Sequence, residues 1–259
     1  MPEQQEASTK PQIECATRTD VGLVRNRNED SLWVDAKRGW LLLADGMGGH
    51  RSGDLASALA VSYVSSRLRT AARAGKMNGD DDYASLLVKS VVDANAVIRG
   101  AGQTMGSDVM GSTFIGAVLD GEQLIYVYLG DSRIYLWRDG ALTQLTRDHT
   151  LVQEFVDAGR LTPELAQGHP YRGLLTRGLG VSDVVEPETG ICTLQERDRL
   201  LLCSDGLTDM VDEDEIARLL GAAASADEVA MSLIEAAKRA GGRDNVSVIV
   251  AWFVAQAHD

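Results

Sequence analysis

Residues 112–146 read STFIGAVLDGEQLIYVYLGDSRIYLWRDGALTQLT, and this stretch decides the fold class. It divides into four strand candidates, STFIGAVLD, QLIYVYLGD, SRIYLWRDG and ALTQLT, which draw heavily on leucine, β-branched and aromatic side chains. The joints DGE, GDS and DGA carry the glycine and aspartate that suit tight hairpins. Joints this short predict an antiparallel meander, because a parallel crossover needs a dozen or more residues.

Outward from that centre, strands come in runs and helices in pairs. Upstream, residues 55–73 (LASALAVSYVSSRLRTAAR) and 83–99 (YASLLVKSVVDANAVIR) are rich in helix formers and are joined by the linker GKMNGDD. Asp54 stands where a carboxylate favours the first of these helices. Before them lie three short strand candidates, IECATRTD, DSLWVDA and GWLLLAD, and then DGMGGHRSGD, read as a loop for its four glycines. Downstream come a short helix candidate LVQEFVDAG and a mixed stretch over 160–181 with Pro163 and Pro170. The strands VVEPETGICTL and RLLLCSDG, the helices DEDEIARLL and ADEVAMSLIEAAKRAG, and the strand NVSVIVAWFVA follow. This order predicts an α+β sandwich in one domain.

Composition narrows the function. Of 259 residues, 44% are hydrophobic and 24% charged, enough for a full core. With 25 basic against 38 acidic residues the formal charge is −13, which argues against nucleic acid or an anionic membrane as the main partner. Three cysteines (Cys15, Cys192, Cys203) with no CxxC pair argue against a disulfide framework and for a reducing, cytoplasmic setting. Cys203, in an apolar run, reads as a buried structural thiol. No apolar run reaches membrane-spanning length, and residues 1–12 read as a disordered polar lead-in.

The placement of aspartates carries the chemistry. Asp45 (WLLLADG), Asp131 (VYLGDS) and Asp205 (LLLCSDG) end apolar runs, and Asp244 (GGRDN) precedes the last one. Any single such aspartate is an ordinary turn residue, and Asp131 between two strand candidates fits a hairpin well. Asp45 and Asp205 fit less well, since no strand follows within hairpin distance. Carboxylates gathered at one edge of a sheet repel one another without a cation, and hard oxygen donors suit Mg²⁺ or Mn²⁺. Zinc is disfavoured, because His50, His149, His169 and His258 show no ligand spacing with the cysteines. In VGLVRNRNEDS, Arg25 with Glu29 and Asp30 admits two readings. One is a solvated charged loop; the other is a guanidinium that grips phosphate, with two carboxylates orienting metal-held waters.

Together GLVRNRNED, LLLADGMGGHRSGDLAS, GST, YLGDSRIYLWRDGALTQLTRDHT, LLTRGLG, LLLCSDGLTD and GGRDNVSVIV resemble the metal-dependent serine/threonine protein phosphatases of type 2C, in their compact bacterial form. The likeness runs from about Thr17 to Phe253. It implies a four-layer αββα sandwich of two antiparallel sheets flanked by pairs of antiparallel helices. It implies one catalytic domain over 13–259, with a flap at about 148–181. Asp45 would then bridge two Mn²⁺ or Mg²⁺ ions, with the Gly46 carbonyl on one and Asp205 and Asp244 on the other. Asp131 with Asp205 would hold a weaker third ion, supported by Thr113. Arg25 would bind the substrate phosphate, with Glu29 and Asp30 behind the metal ligands. Met47 departs from the eukaryotic pattern, which has a histidine there as candidate acid; a thioether cannot donate a proton. His50 is a weak substitute, so solvent or metal-held water is left to protonate the leaving group.

The resemblance implies hydrolysis of phosphoserine and phosphothreonine in proteins, by in-line attack of a water shared between two ions, opposing a bacterial Ser/Thr kinase. A monomeric cytoplasmic enzyme with phosphoprotein partners is expected. A cysteine-dependent tyrosine phosphatase is excluded by the lack of a Cys-x₅-Arg loop. The rivals are a phosphohydrolase for small esters and a binding module that has lost catalysis. The second would be expected to lack a metal aspartate or Arg25, and none is missing.

Overall fold

The computed structural model describes residues 12–48, 52–75, 77, 79–106 and 109–254. Residues 1–11 of the predicted lead-in, His50 and His258 lie outside the described residues. Gln12, counted with the lead-in from sequence, opens the first strand.

Among the described residues, eleven strands form two antiparallel sheets. One sheet orders β1 (Gln12–Asp20), β11 (Val246–Val254), β10 (Arg199–Cys203), β7 (Arg133–Arg138) and β8 (Ala141–Gln144). The other orders β2 (Asp30–Asp35), β3 (Trp40–Gly48), β5 (Phe114–Asp120), β6 (Gln123–Leu129) and β9 (Glu188–Thr193), with β4 (Met110–Ser112) on the end of β3. Helices α1 (Ser52–Arg73) and α2 (Asp80–Met105) cover the second sheet, and α5 (Asp205–Thr208), α6 (Glu213–Ala222) and α7 (Ala226–Arg239) cover the first. Between these two groups in the chain lie α3 (Leu151–Asp157) and α4 (Pro163–Gln167).

Alternation along the strands builds three cores. In β3, Leu41 and Leu43 face the opposite sheet, where they meet Ile134, Leu202 and Ile249. Trp40, Leu42 and Ala44 face the other way, onto Ala60, Val64 and Val91 of α1 and α2. In β10, Leu200 and Leu202 join the inter-sheet core, while Leu201 and Cys203 pack under Ile216, Leu233 and Ala237 of α6 and α7. Strands buried on both faces explain the unbroken apolar runs WLLLA and RLLLC. Burial also pushes the Cys203 thiol up to about 12, as befits an inert structural residue.

The four central strands do not form one meander. DGE and DGA are two-residue hairpins: Asp120 pairs with Gln123, and Arg138 with Ala141. Asp139 and Gly140 both have positive φ, as a two-residue turn of that twist requires. GDS is different. There the chain leaves β6 in one sheet and enters β7 in the other, so the hairpin expected at Asp131 is a crossover. Gly130 makes it with φ +111° and a Cα so close to Thr113 that a Cβ would lie 2.7 Å from its side chain. DGMGGH is likewise not all loop: β3 runs to Gly48 and pairs with β4.

Candidate metal centre

Both sheets deliver their aspartates to the same end of the sandwich. Asp30 opens β2 directly opposite Asp45 on β3. Asp205 follows β10, Asp244 precedes β11, and Asp131 sits in the crossover between sheets. Of the site residues predicted from sequence, Arg25, Glu29, Asp45, Gly46, Thr113, Asp131, Asp205 and Asp244 line one cavity of about 560 Å³. Asp30 lies behind it, fixed by a 3.0 Å hydrogen bond from the Ser204 hydroxyl.

Local structure holds each group. The Gly46 amide donates to the Glu29 carbonyl at 3.1 Å. A Cβ on Gly46 would fall 2.6 Å from that oxygen and closer still to the carbonyl of Gly53, so only glycine lets β3 pass between them. The Asp45 amide donates to the Thr113 hydroxyl at 3.0 Å, and Thr113 shares a 2.8 Å hydrogen bond with Ser132, next to Asp131. Thr113 therefore links Asp45 and Asp131, as a supporting residue would. Asn245 ties the loop bearing Arg25 and Glu29 to the start of β11: its amide donates to Val21 and Arg27 carbonyls, and its oxygen accepts from the Glu29 amide.

The electrostatics are those of crowded like charges. Burial, and then the charges of Asp30, Asp205, Asp131 and Asp244, push the Asp45 carboxyl well above the usual range. Asp205 is raised in the same way by burial and by Asp131, Asp209 and Asp244. Asp131 rises to about 7, by burial and then by Asp148 and Asp209; Asp30 rises to about 6, chiefly by burial. The Oδ1 atoms of Asp30 and Asp205 are buried with no hydrogen-bond partner. No three of the described His, Cys, Asp or Glu side chains already surround one point as a finished cage. The unpartnered oxygens and the all-oxygen donor set nonetheless fit a hard divalent cation, which would relieve both the repulsion and the unsatisfied acceptors.

A family model described as protein phosphatase 2C matches residues 24–237. This chain belongs to the protein phosphatase 2C family. It is 42% identical over 247 residues to the serine/threonine protein phosphatase PstP of Mycobacterium tuberculosis, covering 92% of this chain and 45% of that protein. It thus spans less than half the length of that relative. It is 37% identical over 237 residues to the serine/threonine phosphatase Stp of Listeria innocua, covering 90% of this chain and 93% of the relative. A crystal structure of the PstP catalytic domain in complex with two manganese ions superposes with a TM-score of 0.83 at 40% identity, covering 94% of this chain and 99% of that one. The two-sheet architecture with flanking helices is the fold of this family.

Within this phosphatase family member, several site residues were not singled out from sequence. Asp209, four residues past Asp205, faces the same cavity and forms an ion pair with Arg172, which follows α4. Its spacing from Asp205 along a helical turn was the available signal. Asn245, Ser204 and Ser132 were missed because a hydroxyl or amide beside an aspartate looks like any turn residue, and Ser247 because it lies within the last apolar strand. Ser247 donates its backbone amide to Ser204, which in turn serves Asp30. Arg25 pairs with Asp244 at 2.6 Å, a contact to a proposed metal ligand that the sequence reading did not foresee. His149 is buried, accepts from the Gly130 amide at 3.0 Å and stacks on Tyr128, so it belongs to the scaffold. The Met47 methyl group lies against Gly111 and Gly178, joining the site to the segment before Leu179.

Residues 148–181 are tied to the site near both ends and carry exposed apolar side chains between. Thr150 bridges to Leu175, and Leu179 to Ser112. Between them, Thr150 and Thr162 cap α3 and α4, while Leu165, Tyr171 and Leu174 are exposed. None of the described helices is long and apolar enough to cross a membrane.

Proposed function

We propose that this chain is a metal-dependent phosphatase of phosphoserine and phosphothreonine in proteins, acting as one catalytic domain from about residue 13 onward. The observation that carries the reading is the set of mutually repelling buried aspartates, with an unpartnered oxygen on Asp205, set beside the guanidinium of Arg25. Two Mn²⁺ or Mg²⁺ ions would be held by Asp45, the Gly46 carbonyl, Asp205 and Asp244, and a weaker third by Asp131 with Asp205. When bound, such ions supply Lewis acidity and a water acidic enough to attack phosphorus at neutral pH.

The chain's own residues then orient the reaction. Arg25, about half exposed, exchanges its Asp244 partner for phosphate oxygens, which match its paired N–H groups. Burial pushes the Glu29 carboxyl upward, and Asp54 adds to this, so Glu29 is suited to holding a water proton beside the ligands. Asp30, fixed by Ser204 and facing Asp45, does the same from behind. Met47 offers no proton, which leaves solvent water to protonate the departing alkoxide. The flap segment, over about 148–181, would choose among protein substrates. Phosphorylated proteins, including a Ser/Thr kinase or its substrates, are the expected partners, and a monomer in the cytoplasm is the expected state.

Hydrolysis of a phosphothreonine peptide should need Mn²⁺ or Mg²⁺, stop with a chelator, and be lost in Asp45→Asn. Full turnover in excess chelator, or an unimpaired Asp45→Asn protein, would overturn the reading.

A further inference from the structure

Beyond the metal centre, on the far side of Asp244, lies a second pocket of about 390 Å³. It shares Asp209 and Asp244 with the site cavity, and its other walls include His169, Arg172 and Arg243. Both acids are already engaged, Asp209 by Arg172 and Asp244 by Arg25. Arg243 is exposed and, among the described residues, makes no hydrogen bond or ion pair. In a chain with 38 acidic against 25 basic residues, carboxylate partners are plentiful, so this unpaired charge beside the site is notable.

Its position is fixed rather than incidental. Gly241 and Gly242 both have positive φ and bring the chain out of α7 in a tight turn. The Gly242 carbonyl accepts from the Leu23 amide at 2.7 Å, and Asn245 holds Val21 and Arg27. One short turn therefore carries Arg243 and Asp244 against the loop that carries Arg25. The other side of the site is more acidic: a cavity of about 550 Å³ there sets Asp131, Asp148, Asp205, Asp209, Asp212 and Glu213 against Arg133 and the shared Arg172. Of the two sides, the Arg243 side is thus the less hostile to an anionic group.

We propose that Arg243 is a specificity-determining residue that receives a second anionic side chain of the substrate, a carboxylate or another phosphoryl group. That side chain would stand about two to three residues from the phosphorylated one, ~7–10 Å along an extended chain. The proposal deepens the phosphatase reading and rests on it. Arg243 acts on recognition, so it should move KM and leave chemistry at the metal centre unchanged.

The test compares the Mn²⁺-loaded chain with Arg243→Ala and Arg243→Glu. The substrates are p-nitrophenyl phosphate and three phosphothreonine peptides, with neutral flanks, with flanking glutamates, and with a flanking phosphoserine. The wild-type chain should prefer the anionic peptides by about five- to tenfold in kcat/KM, through KM. The preference should vanish in Arg243→Ala and reverse in Arg243→Glu, with p-nitrophenyl phosphate turned over equally by all. The larger gain, with glutamate or with phosphoserine, identifies which anion is read. Preference retained in Arg243→Glu, or equal losses on p-nitrophenyl phosphate and peptides, would overturn the proposal. If the wild-type chain hydrolyses nothing, the phosphatase reading fails separately. Fluorescence-anisotropy titration of the diphosphorylated and neutral peptides then decides Arg243 alone: tighter binding of the former, lost in Arg243→Glu, supports it, and equal binding refutes it.

Discussion

Replacing Asp131 with asparagine should make the metal-free chain more stable at pH 8, although it adds no contact to the site. Asp131 is 8% exposed and its carboxyl is raised from the ordinary 3.8 to about 7. A folded-state value above the unfolded one means that the folded chain holds its proton more tightly. Well below pH 3.8 both states are protonated and there is no cost. As pH rises towards 7 the unfolded chain ionises and the folded one resists, so stability falls. Above 7 the folded chain carries the buried charge at full cost. The rise corresponds to ~4 kcal/mol at 1.36 kcal/mol per pH unit, and ~2–4 kcal/mol once neighbouring acids readjust. Asparagine keeps the shape and has no charge to bury. At ~2–4 °C per kcal/mol for a chain of this size, melting in EDTA at pH 8 should rise by about 5–15 °C. The gain should fall to ~0.5 kcal/mol near pH 4 and vanish near pH 3. A gain independent of pH, or none at pH 8, would refute the argument that charge burial strains this site. With Mn²⁺ present the same variant should lose most phosphopeptide activity and bind one ion fewer by calorimetry.

Arg25→Ala should lower kcat/KM on a phosphothreonine peptide by about ten- to hundredfold, since a charge-assisted phosphate contact is lost. It should also raise Mn²⁺ affinity up to about fivefold by calorimetry, because it removes an exposed competitor for Asp244. Gly46→Ala should destabilise the fold by ~3 kcal/mol or more in urea titration, as its Cβ meets the Glu29 and Gly53 carbonyls, neither of which can swing away. Arg172→Ala frees Asp209 and should change the ranking of phosphopeptides while p-nitrophenyl phosphate is hydrolysed as before; equal losses on both would place Arg172 in the chemistry.

The sequence by itself determined the class of fold, the family and nearly the whole candidate site. Strand runs such as WLLLAD and RLLLCSDG mark themselves by burial on two faces, and the recurrence of aspartate at the ends of several such runs, unlike any single one, exceeds what turns require. Hairpins at DGE and DGA were also legible, because positive φ at glycine is a local demand. The crossover at Gly130–Asp131–Ser132 was not. Strands β6 and β7 are apolar on both faces, so their side chains cannot say which sheet each joins, and only the close approach of Gly130 to Thr113 separates them. The pairing of Arg25 with Asp244 spans 219 residues, and that of Arg172 with Asp209 spans 37, so neither has a local trace. Tertiary structure alone decided which of many charged surface residues meet at one point, because proximity across two sheets depends on how the layers stack. The isolated charge of Arg243 is of the same kind: whether a guanidinium lacks a partner depends on every chain segment folded around it.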